Sequence, residues 1–120
     1  MAKSYRWASK PDRNRRERLG GFVVIVDSCL KPGAMGAFRR LMDENARTSA
    51  RDEAGCRQFD VVVPDGDQHP ILLHEVYDDM VAFERHKQSS YFADFDRFSA
   101  PLLTSKTVTF GQLVFAGATG

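Results

Sequence analysis

A run of β-branched and apolar residues, Phe22-Val23-Val24-Ile25-Val26, stands directly before a stretch whose apolar positions recur at helical spacing, and this change of period limits the fold more than any other feature. The run continues into Asp27 and Ser28 and reads as a strand buried on both faces. Lys31-Pro32-Gly33 ends it. From Ala34 to about Glu53, Phe38, Leu41, Met42, Asn45 and Ser49 share one side of a helix, with Arg39, Arg40, Asp43, Glu44, Arg47 and Arg51 largely on the others. Gly55 is a plausible stop.

The rest of the chain alternates in the same way. Phe59 to Val63 predicts a second strand, Pro64-Asp65-Gly66-Asp67 a turn, and Ile71 to Tyr77 a third strand paired to the second as a hairpin. Asp78 and Asp79 suit the start of a short helix over Met80 to Lys87, with Val81 or Ala82, Phe83 and His86 on one side. Tyr91, Phe92, Phe95 and Phe98 mark a further helical run to about Leu103, chiefly as core, and Val108 to Phe115 predicts the last strand. The order β-α-β-β-α-α-β is an α+β, ferredoxin-like split βαβ arrangement. Its helices cover one face of the sheet. An apolar second face predicts a homodimer through that sheet face.

At 120 residues there is room for one such core. We divide the chain into a basic arm over 1–20, a domain over 21–116 and a frayed tail over 117–120. The arm carries seven basic residues against Asp12 and Glu17, a net +5, and its lack of apolar periodicity predicts a disordered leader, although Tyr5 and Trp7 could anchor it on a partner subunit. The remaining residues, with 10 basic and 14 acidic side chains, are mildly acidic, so no nucleic-acid partner is expected. No apolar stretch approaches a membrane span or a secretory signal, and Cys29 and Cys56 read as free thiols, so the expected setting is cytoplasmic, away from membranes.

Chemistry is suggested by polar residues on apolar faces. Asn45 follows Phe38 by seven and Met42 by three, inside the core stripe, and Ser49 lies one turn on. An unpaired buried amide costs about 1–3 kcal/mol, so Asn45 needs partners. Glu75 alternates with Ile71, Leu73 and Tyr77, and His86 faces inward with Phe83. Each has an ordinary structural explanation: a tied-down loop, an arginine pair across a dimer, a satisfied half-buried histidine. Together they suggest one cavity holding a small organic molecule, with Asn45, Glu75 and His86 as candidate catalytic residues. Phe38, Met42, Ser49, Phe59, Tyr77, Phe83, Tyr91 and Phe92 are candidate substrate contacts. His69 reads as solvated, and His74 falls on the opposite strand face from Glu75. No metal-ligand spacing and no phosphate-binding glycine loop appears, so neither a built-in metal site nor a nucleotide cofactor is expected.

Asn45-Ala46-Arg47-Thr48-Ser49, Glu53-Ala54-Gly55-Cys56, Phe59-Asp60-Val61, Glu75-Val76-Tyr77-Asp78-Asp79, Ala82-Phe83-Glu84-Arg85-His86-Lys87 and Ser90-Tyr91-Phe92 together resemble the antibiotic biosynthesis monooxygenase family. The resemblance covers about residues 21–115. It is nearest to the small bacterial quinol monooxygenases and to the isomerase of the phosphorylated autoinducer-2 signal. It implies a dimeric α+β barrel and oxidation of a quinol or related aromatic by O2 without metal or flavin, with His86 or Glu75 as base and Asn45 as donor to the oxyanion. Isomerisation of a phosphorylated hydroxy-dione would need similar groups and a cationic clamp, for which Arg47, Arg51, Arg85 and Lys87 are the nearest candidates. A third possibility is a dimeric small-molecule-binding domain without catalysis. One branch of the family degrades haem with an inward tryptophan, but His86 stands at that place and no later histidine follows, so haem is disfavoured.

Overall fold

A computed structural model of the chain describes residues 20–66 and 70–115. The expected leader with Tyr5 and Trp7, the solvated His69 and the tail over 117–120 lie outside the described residues. Four strands, β1 (Phe22–Leu30), β2 (Cys56–Val62), β3 (Pro70–Tyr77) and β4 (Leu103–Gln112), form one antiparallel sheet in the order β2-β3-β1-β4. Three α-helices, α1 (Met35–Asp52), α2 (Met80–Lys87) and α3 (Ser90–Ser99), and a short 3-10 turn at Ala100–Leu102 complete the expected β-α-β-β-α-α-β, ferredoxin-like order.

Local chemistry explains the element ends. Gly33 turns the chain from β1 into α1 at φ 79°, a conformation in which a side chain would be strained. Asp79 caps α2 by accepting from the Ala82 N–H at 2.9 Å, and Ser89 caps α3 by accepting from the Phe92 N–H at 3.2 Å. The last strand begins five residues before the expected Val108. Thr104, Ser105, Lys106 and Thr107 lack an apolar pattern, but the backbone pairs along the full length of β1, from Leu30 opposite Leu103 to Phe22 opposite Gln112. Tertiary pairing overrides side-chain preference there.

Strand register assigns each side chain to a face. Phe22, Val24, Val26 and Ser28 of β1 point the same way as Tyr77, Glu75, Leu73 and Ile71 of β3, their direct partners, and as Phe59 and Val61 of β2. On this inner face Phe38 and Met42 from α1 and Ala82 and Phe83 from α2 close the core. On the outer face the single chain leaves β1 partly open. Ile25 is 43% exposed and Asp27 is exposed, because no described helix covers the outer face, although Val23 and Val76 are buried there. Phe98, expected in the core, faces out with Arg97 against its ring.

Candidate active site

The helical stripe of α1, the inner face of β3 and the inward side of α2 meet over a single hollow. Asn45, Glu75 and His86 all line a cavity of about 200 Å³, and their exposures are 3%, 4% and 2%. Its walls are apolar: Val24, Val26 and Leu73 from the sheet, Phe38 and Met42 from α1, Phe83 from α2, Phe92 and Phe95 from α3, and Val108 and Phe110 from β4. A few convergent polar groups in an apolar hollow are what orients a small ligand.

The imidazole of His86 is fixed from behind. Its Nδ1 lies 3.0 Å from Glu53 Oε2 and 3.3 Å from Ser49 Oγ. The Ser49 hydroxyl donates its proton to the main-chain carbonyl oxygen of Asn45 at 2.7 Å, so towards His86 it can only accept. Both neighbours therefore call for a proton on Nδ1, which leaves the Nε2 lone pair available to the cavity in the neutral ring. Five aromatic rings hold the imidazole in place: Phe59, Tyr77, Phe83, Tyr91 and Phe92, with centroids 5.0 to 6.3 Å away.

Glu75 sits opposite Val24 and beside Phe59 in the middle of the sheet. Burial pushes its carboxyl up to about 7; the Tyr77 hydroxyl, donating to Oε1 at 2.7 Å, and the charge of His86 pull the other way. The Tyr77 hydroxyl is itself pushed far up, chiefly by burial, and stays a donor. Asn45 is the third member. Its Oδ1 is buried with no hydrogen-bond partner among the described residues. An amide with this much unused capacity, beside a cavity, is suited to a ligand that brings its own polar atom.

Of the expected substrate contacts, Phe38, Met42, Phe83 and Phe92 line the cavity. Ser49, Phe59, Tyr77 and Tyr91 stand behind it, against His86 or Glu75. His74 faces the outer side, 3.4 Å from Asp60. Arg47 and Arg51 pair with Glu44 and Asp52 on the exposed side of α1, and Arg85 is exposed, so none of these arginines lines the cavity. Lys87 does, with Lys106 and the buried Ser28 and Ser99. Glu53 was not anticipated. The available signal was an acid at the C-terminal end of α1, where the helix dipole disfavours negative charge. Among the described residues, no three His, Cys, Asp or Glu side chains gather as a metal site.

The profile of the antibiotic biosynthesis monooxygenase family matches residues 21–97. Solved structures share the fold. Rv0793 from Mycobacterium tuberculosis is 27% identical with a TM-score of 0.73, the alignment covering 82% of this chain and 99% of that one. PA3566 from Pseudomonas aeruginosa is 29% identical with a TM-score of 0.70, covering 83% and 98%. A conserved protein from Methanosarcina mazei Go1 is 15% identical with a TM-score of 0.74, covering 81% and 96%. A comparison with curated proteins finds no match.

Proposed function

The chain belongs to the antibiotic biosynthesis monooxygenase family, and from that premise we propose that it oxidises a small quinol or related electron-rich aromatic with O2 in the cavity shared by Asn45, Glu75 and His86. The observation that carries this reading is the buried imidazole held at Nδ1 by Glu53 and Ser49, with its other nitrogen left to an apolar hollow.

In this mechanism His86 Nε2 takes the phenolic proton, and Glu53 steadies the imidazolium that forms. The Asn45 amide donates to the phenolate oxygen beside that imidazolium. The deprotonated ring supplies electrons to O2. A ring carbon forms a bond to one oxygen atom, the O–O bond breaks, and the second oxygen leaves as water. A hydroquinone and O2 thus give a hydroxyquinone and water, with no outside reductant. Glu75, poised near neutrality, returns a proton to the departing oxygen.

The domain over 21–116 is proposed to work as a homodimer, with a second copy against the sheet face where Ile25 and Val62 are exposed; sedimentation at two protein concentrations tests this. No described helix is long and apolar enough to cross a membrane, and we place the reaction in the cytoplasm. The test of function is oxygen uptake matched to quinol loss, in wild type and His86→Ala. Uptake that survives the substitution at full rate removes His86 as the base. Saturable binding with no uptake for any quinol leaves a binding module instead.

A further inference from the structure

The cavity is not symmetric in charge. Its lining includes Asn45, Glu75 and His86 and, from β4, Lys106. Lys106 is placed by register: it lies opposite Ser28 on one flank of β1, and Glu75 lies opposite Val24 on the other. Four residues along β1 separate the two levels, about 13 Å, and two strand spacings, about 10 Å, separate them sideways. Lys106 is among the residues that line the hollow, and its ammonium stands 3.9 Å from Asp96 on α3. The backbones at these two corners are therefore roughly 16 Å apart on the diagonal, and both residues belong to the lining between them.

Two further observations favour an anion at that end. Lys106 is only loosely engaged: its ion pair with Asp96 is 3.9 Å long, and its side chain is 39% exposed. Lys87, the other cation on the lining, is already held by Glu84 at 3.1 Å and lies over the Phe83 ring, 4.9 Å from its centre. The size of the hollow then limits the ligand. A dry cavity of about 150 Å³ accepts benzene, so about 200 Å³ suits one ring and its substituents rather than a fused polycycle.

From this geometry we infer that the ligand is a single-ring aromatic carboxylate carrying a ring hydroxyl, with Lys106 as the residue that selects for its negative charge. The carboxylate exchanges places with Asp96 at Lys106. The ring lies among Val26, Leu73, Phe92 and Val108, and the hydroxyl reaches Asn45 and His86. This rests on the cavity being the reaction site and adds the class of its substrate.

The test is calorimetric binding to the full chain without oxygen, using 2,5-dihydroxybenzoate and neutral hydroquinone. A charge-assisted contact at a partly screened ammonium predicts roughly tenfold tighter binding of the carboxylate. Lys106→Met, which keeps the apolar stem, brings the two affinities together by weakening the carboxylate, and Lys106→Arg keeps most of the preference. Equal affinities in wild type, no binding of the carboxylate, an unchanged ratio in Lys106→Met, or loss of the preference in Lys87→Met instead would each overturn the assignment. Because no turnover is needed, the outcome separates from the oxidation chemistry. A Lys106-dependent preference without oxygen uptake sinks the monooxygenase and keeps the ligand class, whereas uptake with hydroquinone and no charge preference does the reverse.

Discussion

Replacing Glu75 with glutamine removes a carboxyl from the buried inner face while keeping an acceptor for the Tyr77 hydroxyl. The folded protein holds this carboxyl at about 7, against an ordinary 4.5, chiefly because burial disfavours the charged form. Between those values the folded chain binds a proton that the unfolded chain releases. The contribution of Glu75 to stability is therefore greatest below about 4.5, falls as the pH rises to about 7, and is level above it. At about 1.4 kcal/mol for each factor of ten in proton affinity, the total change is about 3 kcal/mol. Glutamine has no such loss. Urea unfolding of wild type and Glu75→Gln at a fixed protein concentration, from about pH 4 to 8, reads the difference directly, because every other titrating group cancels to first order. The variant should gain about 3 kcal/mol on wild type across that range. Two stability curves that run parallel would refute the claim that the carboxyl is desolvated.

Other substitutions probe the rest of the site. Asn45→Ala should lower kcat by roughly 10²- to 10³-fold with a smaller change in KM, as expected for a donor to developing charge; oxygen-uptake kinetics that match wild type would dismiss the amide. His86→Ala should cost about 10²- to 10⁴-fold in kcat, and Glu53→Gln less, because an amide still accepts from Nδ1 but cannot balance the imidazolium. A Glu53→Gln enzyme as fast as wild type would show that the carboxylate's charge plays no part. Gly55→Ala would put a methyl 2.5 Å from the Ala82 Cβ, with both groups held on backbone, so α2 must shift. We expect a loss of about 1–3 kcal/mol in thermal unfolding, partly recovered by adding Ala82→Gly; no loss would mean that the helix is not docked on this contact.

Periodicity revealed much of this molecule because burial enforces it. The helix over Met80–Lys87 and the inward turn of Asn45, Glu75 and His86 follow from spacings of three, four and two, which the core cannot ignore. Where the partner is backbone, the side chains carry little signal: the start of β4 through Thr104 to Thr107 is held by pairing to β1. Where two groups meet across distant segments, local pattern is silent. Glu53 and His86 are 33 residues apart, and only the docking of α2 on the loop at Gly55 puts them together. Lys106 was hidden for both reasons, as a charged residue in a polar run whose face is set only by its register with Ser28.

β4 is one of the two edge strands of the sheet and also one wall of the hollow, with Val108, Phe110, Val114 and Phe115 exposed along or just beyond it. Whatever docks on that rim must alter the access and the dielectric of the chamber beside it. Thermodynamic reciprocity then requires that filling the chamber strengthen or weaken the docking by the same factor. Docking on the β4 rim and occupancy of the chamber would therefore be two readouts of one equilibrium.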